Sequence, residues 1–501
     1  MRITVFGAAA LWLAPVLSVG VLGLGLPRPA AIAIGTLVAA LVAWFGSRPV
    51  AALIAPALAG RKWLAAAALV IALAAIIQIG RLSVFTADSI RTGYSGMPDD
   101  PWRVRHCCMT GYAEAARFAQ QGGVNIYDHA LYQPRQIGPL QVDRYHYPPP
   151  FLLPLRAMRF VTGDFFRLRM LWFAAQAAVL LMAVVWIALW IGGTTGSFAL
   201  LGGALVLAAP TVVYSLQMGN FQSTAVALSS VGLALVCANR TNQMSRGAPL
   251  LAFVSVSKIF PGILFVYLLA ARRWRAAGWI AGSGLVLVIL SLAVLGTRPF
   301  VDFVGYAVPE ISDGRAFPQS ERPQTASANT SVYGLTVRVR LLGAQALDQL
   351  TGLKIASLYG LLVIALAGVA GWKIRPDLTT ADGRAVLTQV GLALVSLASF
   401  RSPFVGGPYG YVATFWLLIL LASTSQTARA RAFWIGGLFV MGAGNWLTPS
   451  PHFPVSRFWL AASGVLVLVA IAINLLTILR AVRIRPGALP IAHTLPRVAG
   501  V

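Results

Sequence analysis

Charge is scarce in this chain. Only 11% of its 501 residues are Asp, Glu, Lys or Arg, against roughly 25% in an ordinary soluble domain. Acid is scarcest, with 14 Asp and Glu against 39 Lys and Arg. Cysteine is nearly absent. Cys107, Cys108 and Cys237 make no disulfide framework; adjacent Cys107 and Cys108 have poor geometry for an ordinary bridge, and Cys237, in an apolar run, reads as a small core residue. There is no P-loop, GxGxxG fingerprint, HExxH pair or CxxC pair, which excludes ATP-driven transport on this chain alone. His106 precedes the two cysteines, but adjacent residues rarely point at one ion. No metal and no other cofactor is expected, and those three residues read as loop packing.

What is present is apolar. Hydrophobic residues make up 58% of the chain, and about a dozen runs approach the length that crosses a bilayer. The fold class is therefore an all-α polytopic membrane protein, since a helix satisfies its own backbone in lipid. The expected spans are 3–26, 29–46, 63–80, 170–191, 197–214, 222–238, 277–296, 354–372, 385–400, 409–423, 433–447 and 457–479. The first is too long, and lacks a cleavage site, for a signal peptide. A formal charge of +25 would suggest nucleic acid in a soluble protein. Here Lys and Arg sit at span ends, where they set topology, so no nucleic-acid partner is expected.

Orientation follows from the basic short loops: Arg61 with Lys62, residues 240–246, 272–275, 373–375 and 429–431, and the tail with Arg480, Arg483 and Arg485. Placing both termini in the cytoplasm puts all of them inside. It leaves two acid-rich stretches outside. Residues 81–169 hold Asp88, Asp99, Asp100, Glu114, Asp128, Asp143 and Asp164, and residues 297–331 hold Asp302, Glu310, Asp313 and Glu321. The organisation read from this is two extra helices over 1–62, a membrane core over 63–479 with outer loops 81–169 and 297–353, and a basic cytoplasmic tail over 480–501.

One segment, 249–270, lies between two basic loops and cannot cross once. Lys258, Ile259, Phe260, Pro261 and Gly262 break the helix there, and non-helical backbone at membrane depth must line a cavity or be buried in protein. A re-entrant helical pair with Lys258 near its tip is expected. In the first outer loop, residues 112–119 read as a short helix ended by Gly122 and Gly123. In the second, residues 334–342 suggest an interfacial helix.

Polar residues inside membrane segments are costly and informative. Lys258 is either a cation for the phosphate of a lipid-linked substrate or a snorkelling, carbonyl-paired lysine. Gln217, Asn220 and Gln222 surround Gly219; they hold sugar hydroxyls or form a polar turn. Arg401 and Tyr409 flank a rigid turn, near a ligand or in a plain loop. A sugar transfer needs a base for the acceptor proton and a cation to meet a departing phosphate. Asp88, Asp100 and Asp99 are the base candidates: Asp88 lies eight residues past its span, close to the membrane surface, the other two precede Pro101, where they can cap a turn, and each has a structural alternative.

The order of several motifs carries a resemblance. Residues 112–116, Gly122-Gly123, Tyr127-Asp128, Tyr147-Pro148-Pro149, residues 218–222, Lys258 to Pro261, Asn329-Thr330-Ser331 and Ser402-Pro403 resemble glycosyltransferase family 87. The resemblance covers roughly residues 63–425. It implies a GT-C-like fold, here built on the about 12 transmembrane helices read from the apolar runs, a polyprenyl-phosphate sugar donor, chiefly mannose, and no metal. The implied activity is transfer of a hexose to a glycan or lipid acceptor of the bacterial cell envelope, at the outer face of the inner membrane. Tyr147 and Asn329 join the substrate-side candidates through these motifs. A catalytic Asp is implied four residues before Tyr112, where this chain has Cys108. Either the base has moved to Asp88, Asp99 or Asp100, or the usual reaction is not catalysed. Asn220 also stands where the family often has Gln. The alternatives are a transporter or flippase of lipid-linked saccharide and a catalytically inactive scaffold.

Overall fold

A computed structural model describes residues 1–238, 241–446 and 454–483. Arg240 of one basic loop, residue 447 of the span expected at 433–447, and the tail beyond Arg483 lie outside the described residues. Among the described residues, seven helices are long and apolar enough to cross a membrane: Arg2–Gly23, Arg28–Leu58, Lys62–Ala87, Phe165–Ile191, Trp274–Leu295, Gln349–Lys373 and Arg457–Arg483. Gly193–Ala208 and Pro210–Met218 make an eighth if taken as one span bent by 51°. Pro210 is at the break, where it has no amide proton to continue the helix. Gln222–Cys237, Phe260–Ala270 and Val412–Thr424 are apolar but shorter. The chain is an all-α polytopic membrane protein. The two N-terminal helices pack on each other and on Lys62–Ala87 and Phe165–Ile191, so they share the main core.

The first long loop is shorter than its sequence suggested. Leu82 and Phe85 are buried and extend the packed face, so the helix runs to Ala87 and Asp88 stands at its end rather than eight residues past it. Asp164 opens the next helix by accepting from the Arg167 amide at 2.8 Å, an N-cap that starts the helix before residue 170. Arg169, fully buried, reaches back to the Phe85 and Thr86 carbonyls, both at 3.4 Å. That pair of contacts ties the two helices at the ends that hold the loop.

Between them lies a small folded unit. Asp100 caps the short helix Pro101–Arg105 by accepting from Trp102 and Arg103 amides. Strand β1 (His106–Cys107) leads straight into the helix Cys108–Gln121, which Gly122 ends at φ 71°. Strands β2 (Gln136–Ile137) and β3 (Leu140–Val142) follow, and the sheet order is β1-β3-β2. β1 and β3 run parallel, pairing His106 with Gln141 and Cys107 with Val142. Thr110 locks this register: its hydroxyl donates to the Cys107 and Gln141 carbonyls and accepts from the Asp143 amide at 2.9 Å.

Gly111 is what lets the helix sit on the strand. A Cβ there would stand 2.6 Å from the Asp143 carbonyl oxygen and 3.0 Å from its carbon. Both are backbone atoms with no rotamer to give way. Gly111→Ala is expected to lower stability by about 1–3 kcal/mol, as overpacking does, and to displace Asp143. Thermal unfolding of the detergent-purified variant checks the stability loss.

The break at residue 259 is present. The helix Thr241–Lys258 ends at the lysine, a turn at Phe260–Gly262 follows, and Ile263–Ala270 resumes. Ile259 sits at φ 61°, a conformation that a β-branched residue adopts only under strain. The expected interfacial helix is Val332–Leu341, but it is not a surface element throughout. Arg338 is 2% exposed and donates to Ser463 Oγ and the Ser327 carbonyl at 3.0 Å each. This helix packs against Arg457–Arg483, and Arg338 points into that contact.

Candidate functional site

A cavity of about 950 Å³ opens where the first loop, the break at Lys258, residues 317–328 and residues 398–409 meet. Arg103, Arg135, Arg144, Lys258, Arg322 and Arg401 line it, and among its lining residues Asp143 is the lone carboxylate. Arg103 and Arg135 are balanced by Asp100 and Glu114 behind the wall, and the cations that remain, Arg144, Lys258, Arg322 and Arg401, still outnumber Asp143 and suit a substrate that brings its own phosphate.

The fate of the other carboxylates explains why. Asp88 pairs with Arg91 at the surface. Asp100 caps its helix and pairs with Arg103. Glu114 is held by Arg117 and Arg135, which keep its carboxyl below the usual range despite the opposing burial. Asp128 caps a short turn and Asp164 the long helix Phe165–Ile191. Asp302 pairs with Arg298, Glu310 and Asp313 with Arg315, and Glu321 with Arg340. Asp143 instead turns Oδ1 to the Arg144 amide at 2.9 Å and Oδ2 toward His106 Nε2 at 3.7 Å.

Around Asp143 the polar groups form a connected row. Cys108 Sγ lies 4.0 Å from His106 Nε2. Asn220 Nδ2 donates to that sulfur at 3.3 Å. Lys258 Nζ donates to Asn220 Oδ1 at 3.4 Å and to the Tyr147 hydroxyl at 2.9 Å. Tyr112 donates to the same hydroxyl at 3.0 Å. Asn220 is itself held from behind. Gly219 closes the preceding helix at φ 67°, its carbonyl accepts from Trp172 Nε1 at 2.8 Å, and Gln176 Nε2 reaches the Asn220 carbonyl at 3.1 Å. His106 is held flat by Trp102, stacked at 4.4 Å.

Burial biases these groups toward their neutral forms. Desolvation holds His106 below the ordinary histidine range, with Asp143 pulling the other way. Burial pushes the Cys108 thiol well up, and Asp143 adds to it. His146 is pushed down to about 3 by burial, with His129 and Arg144 adding to the shift, so its ring is neutral at neutral pH.

The residues singled out from sequence divide into three groups. Tyr147, Asn220, Gln222, Lys258, Arg401 and Tyr409 line the cavity together. Gln217 and Asn329 do not. The Gln217 amide accepts from the Gly96 amide at 2.6 Å and donates to the Arg103 carbonyl at 3.0 Å, which pins the first loop. Asn329 donates to the Pro403 carbonyl at 2.8 Å and accepts from the Val405 amide at 3.0 Å, which fixes the turn carrying Arg401. Asp88, Asp99 and Asp100 lie off the cavity wall; Asp99 is exposed.

Asp143, His106 and Cys108 were the groups that sequence reasoning did not assemble. His106 and Cys108 converge because the chain is extended between them, and residues two apart in a strand share a face. Cys107, between them, turns away toward the Met218 carbonyl at 3.6 Å. The one signal available was the position of Asp143, four residues before Tyr147 in a motif already singled out.

This chain matches the family model of glycosyltransferase family 87 over residues 145–381. No curated protein and no solved structure matches it. The resemblance seen in the motifs is thus shown, and the family supports a membrane glycosyltransferase. Tyr147, Asn220 and Lys258 fall inside the matched range; Asp143 falls just before it and Cys108 well before it.

Proposed function

We propose that this cavity moves a hexose, mannose first among candidates, from a polyprenyl-phosphate donor to a hydroxyl of a glycan or lipid acceptor at the outer face of a bacterial cell membrane. One observation supports it above the others. The resemblance implies a catalytic carboxylate where Cys108 stands, and Asp143 brings a carboxylate within 4.8 Å of the Cys108 sulfur from the adjoining strand. The register makes this possible. β1 and β3 pair 106 with 141 and 107 with 142, so the next residues, 108 and 143, face each other.

Chemical roles follow from the geometry. Asp143 takes the acceptor proton. Lys258, with Tyr147 and Asn220 bonded to it, meets the phosphate as the sugar–oxygen bond breaks. Gln222 and Tyr409 are placed on the same wall for the sugar or acceptor. Gln217 and Asn329 position that wall through the backbone and do not touch substrate.

The test supplies the purified protein with radiolabelled polyprenyl-phosphate-mannose and a membrane lipid extract. A labelled lipid or glycan product is expected, and it should form only with intact protein. No product with any polyprenyl-phosphate hexose, from protein that is folded and monodisperse, would overturn the reading in favour of a transporter or a scaffold.

A further inference from the structure

We infer that His106, Cys108 and Asp143 form a three-ligand site for a divalent transition metal of the zinc class, with its fourth position open to the cavity. The three donor atoms all lie within 4.8 Å of one another. Two of the edges are 4.0 Å, sulfur to nitrogen, and 3.7 Å, nitrogen to oxygen. Tetrahedral bonds of about 2.0–2.3 Å set such edges near 3.3–3.6 Å, so these two edges need to close by only a fraction of an ångström, and the sulfur-to-oxygen edge, within 4.8 Å, by about 1 Å at most with a side-chain rotation.

The donor set also selects the ion. One sulfur, one imidazole nitrogen and one carboxylate oxygen suit zinc and disfavour magnesium or calcium, which take oxygen. Three protein ligands with one open position is the arrangement of a reactive site, whereas structural sites close all four.

Neighbouring groups support the ligands as outer partners do at metal centres. Trp102 fixes the His106 ring. Asn220 donates to the Cys108 sulfur at 3.3 Å, a bond that stabilises a thiolate. The Arg144 amide holds the other Asp143 oxygen at 2.9 Å. Main-chain pairing of β1 with β3 sets all three ligands before any ion arrives. Binding displaces the Cys108 thiol proton to solvent, and the imidazole and carboxylate bind as they are.

The site is independent of which sugar is used, although it shares Asp143 with the transfer reaction proposed above. With the ion seated, Asp143 is a ligand. An acceptor hydroxyl in the fourth position would then lose its proton more readily, as zinc-bound water does, and pass it to solvent in the cavity. Ion and free carboxylate are two ways of activating the same hydroxyl.

The experiment loads the full-length protein, purified in detergent without a polyhistidine tag, with zinc or with cobalt alone. Zinc is counted by mass spectrometry after dialysis. Cobalt is read by its sulfur-to-metal charge-transfer absorption. A single equivalent of zinc is expected in the wild type and in Cys107→Ser, with loss in Cys108→Ser and His106→Gln. The cobalt band should vanish in Cys108→Ser and persist in Cys107→Ser. Matched thermal unfolding of the unloaded proteins shows that the variants fold. No zinc above the Cys108→Ser level, or a cobalt band that survives Cys108→Ser, overturns the site. Sugar transfer by zinc-free protein that also binds no cobalt would sink the metal and leave the transferase standing. Bound zinc without transfer would do the reverse.

Discussion

Asp143→Asn lowers the turnover of sugar transfer by about 10²- to 10⁴-fold, the range a positioned base contributes. Asparagine keeps the shape and still accepts from the Arg144 amide, so the β1–β3 register and the fold are preserved. What is lost is an oxygen able to hold a proton. In energy this is about 3–5 kcal/mol of barrier. Donor binding should change little, because the phosphate is met elsewhere on the wall. The loss is therefore expected in kcat rather than KM.

Two companions make the experiment specific. Asp88→Asn removes half of a surface ion pair, a contact worth little, and should transfer normally. Cys108→Asp in the Asp143→Asn background returns a carboxylate to within a few ångströms of the one removed and should restore part of the lost rate. Full activity of Asp143→Asn, or a loss in Asp88→Asn of the same size, would show that the base lies elsewhere. Radiolabelled product formation under saturating donor reads every arm.

Lys258→Met produces the second large effect, about 10²- to 10³-fold in kcat over KM, as expected when a group that stabilises developing charge is removed. Methionine fills the stem of the lysine but brings no donor. Tyr147 and Asn220 each lose a bond from Nζ. In the proposed reaction the departing phosphate loses the cation that would meet it. A nearby phosphate favours the ammonium form, so the lysine and the lipid phosphate strengthen each other. Lys258→Arg keeps charge but carries a wider, planar head. It should recover donor binding better than turnover, since the residue follows directly into the strained turn at Ile259. Unchanged transfer in Lys258→Met would move the phosphate site to Arg322 or Arg401.

Glycines and prolines carried much of the legible information. Gly122 and Gly123 ended the predicted helix because residues at positive φ stop it, and both do so here, at 71° and 76°. Pro261 and Gly262 marked the break after Lys258. Amides were harder. Gln217 and Asn220 lie three residues apart in one turn, yet one side chain serves backbone groups and the other faces the cavity. Nothing local distinguishes them. The answer depends on residue 96 and residue 103 arriving from the first loop.

The sequence by itself determined that this chain is helical and lives in a membrane. Long apolar runs with few charges have one stable solution in lipid, because only a helix supplies every backbone partner from within. It also gathered most of the carboxylates in two polar stretches and set a lysine at one helix break. Tertiary structure alone decided which carboxylate enters the cavity. Strands of two and three residues show no periodicity, and their parallel pairing joins residues far apart in the chain. That pairing, locked by Thr110 and permitted by Gly111, sets Asp143 opposite Cys108, while nearby arginines or helix ends take up most of the other acids.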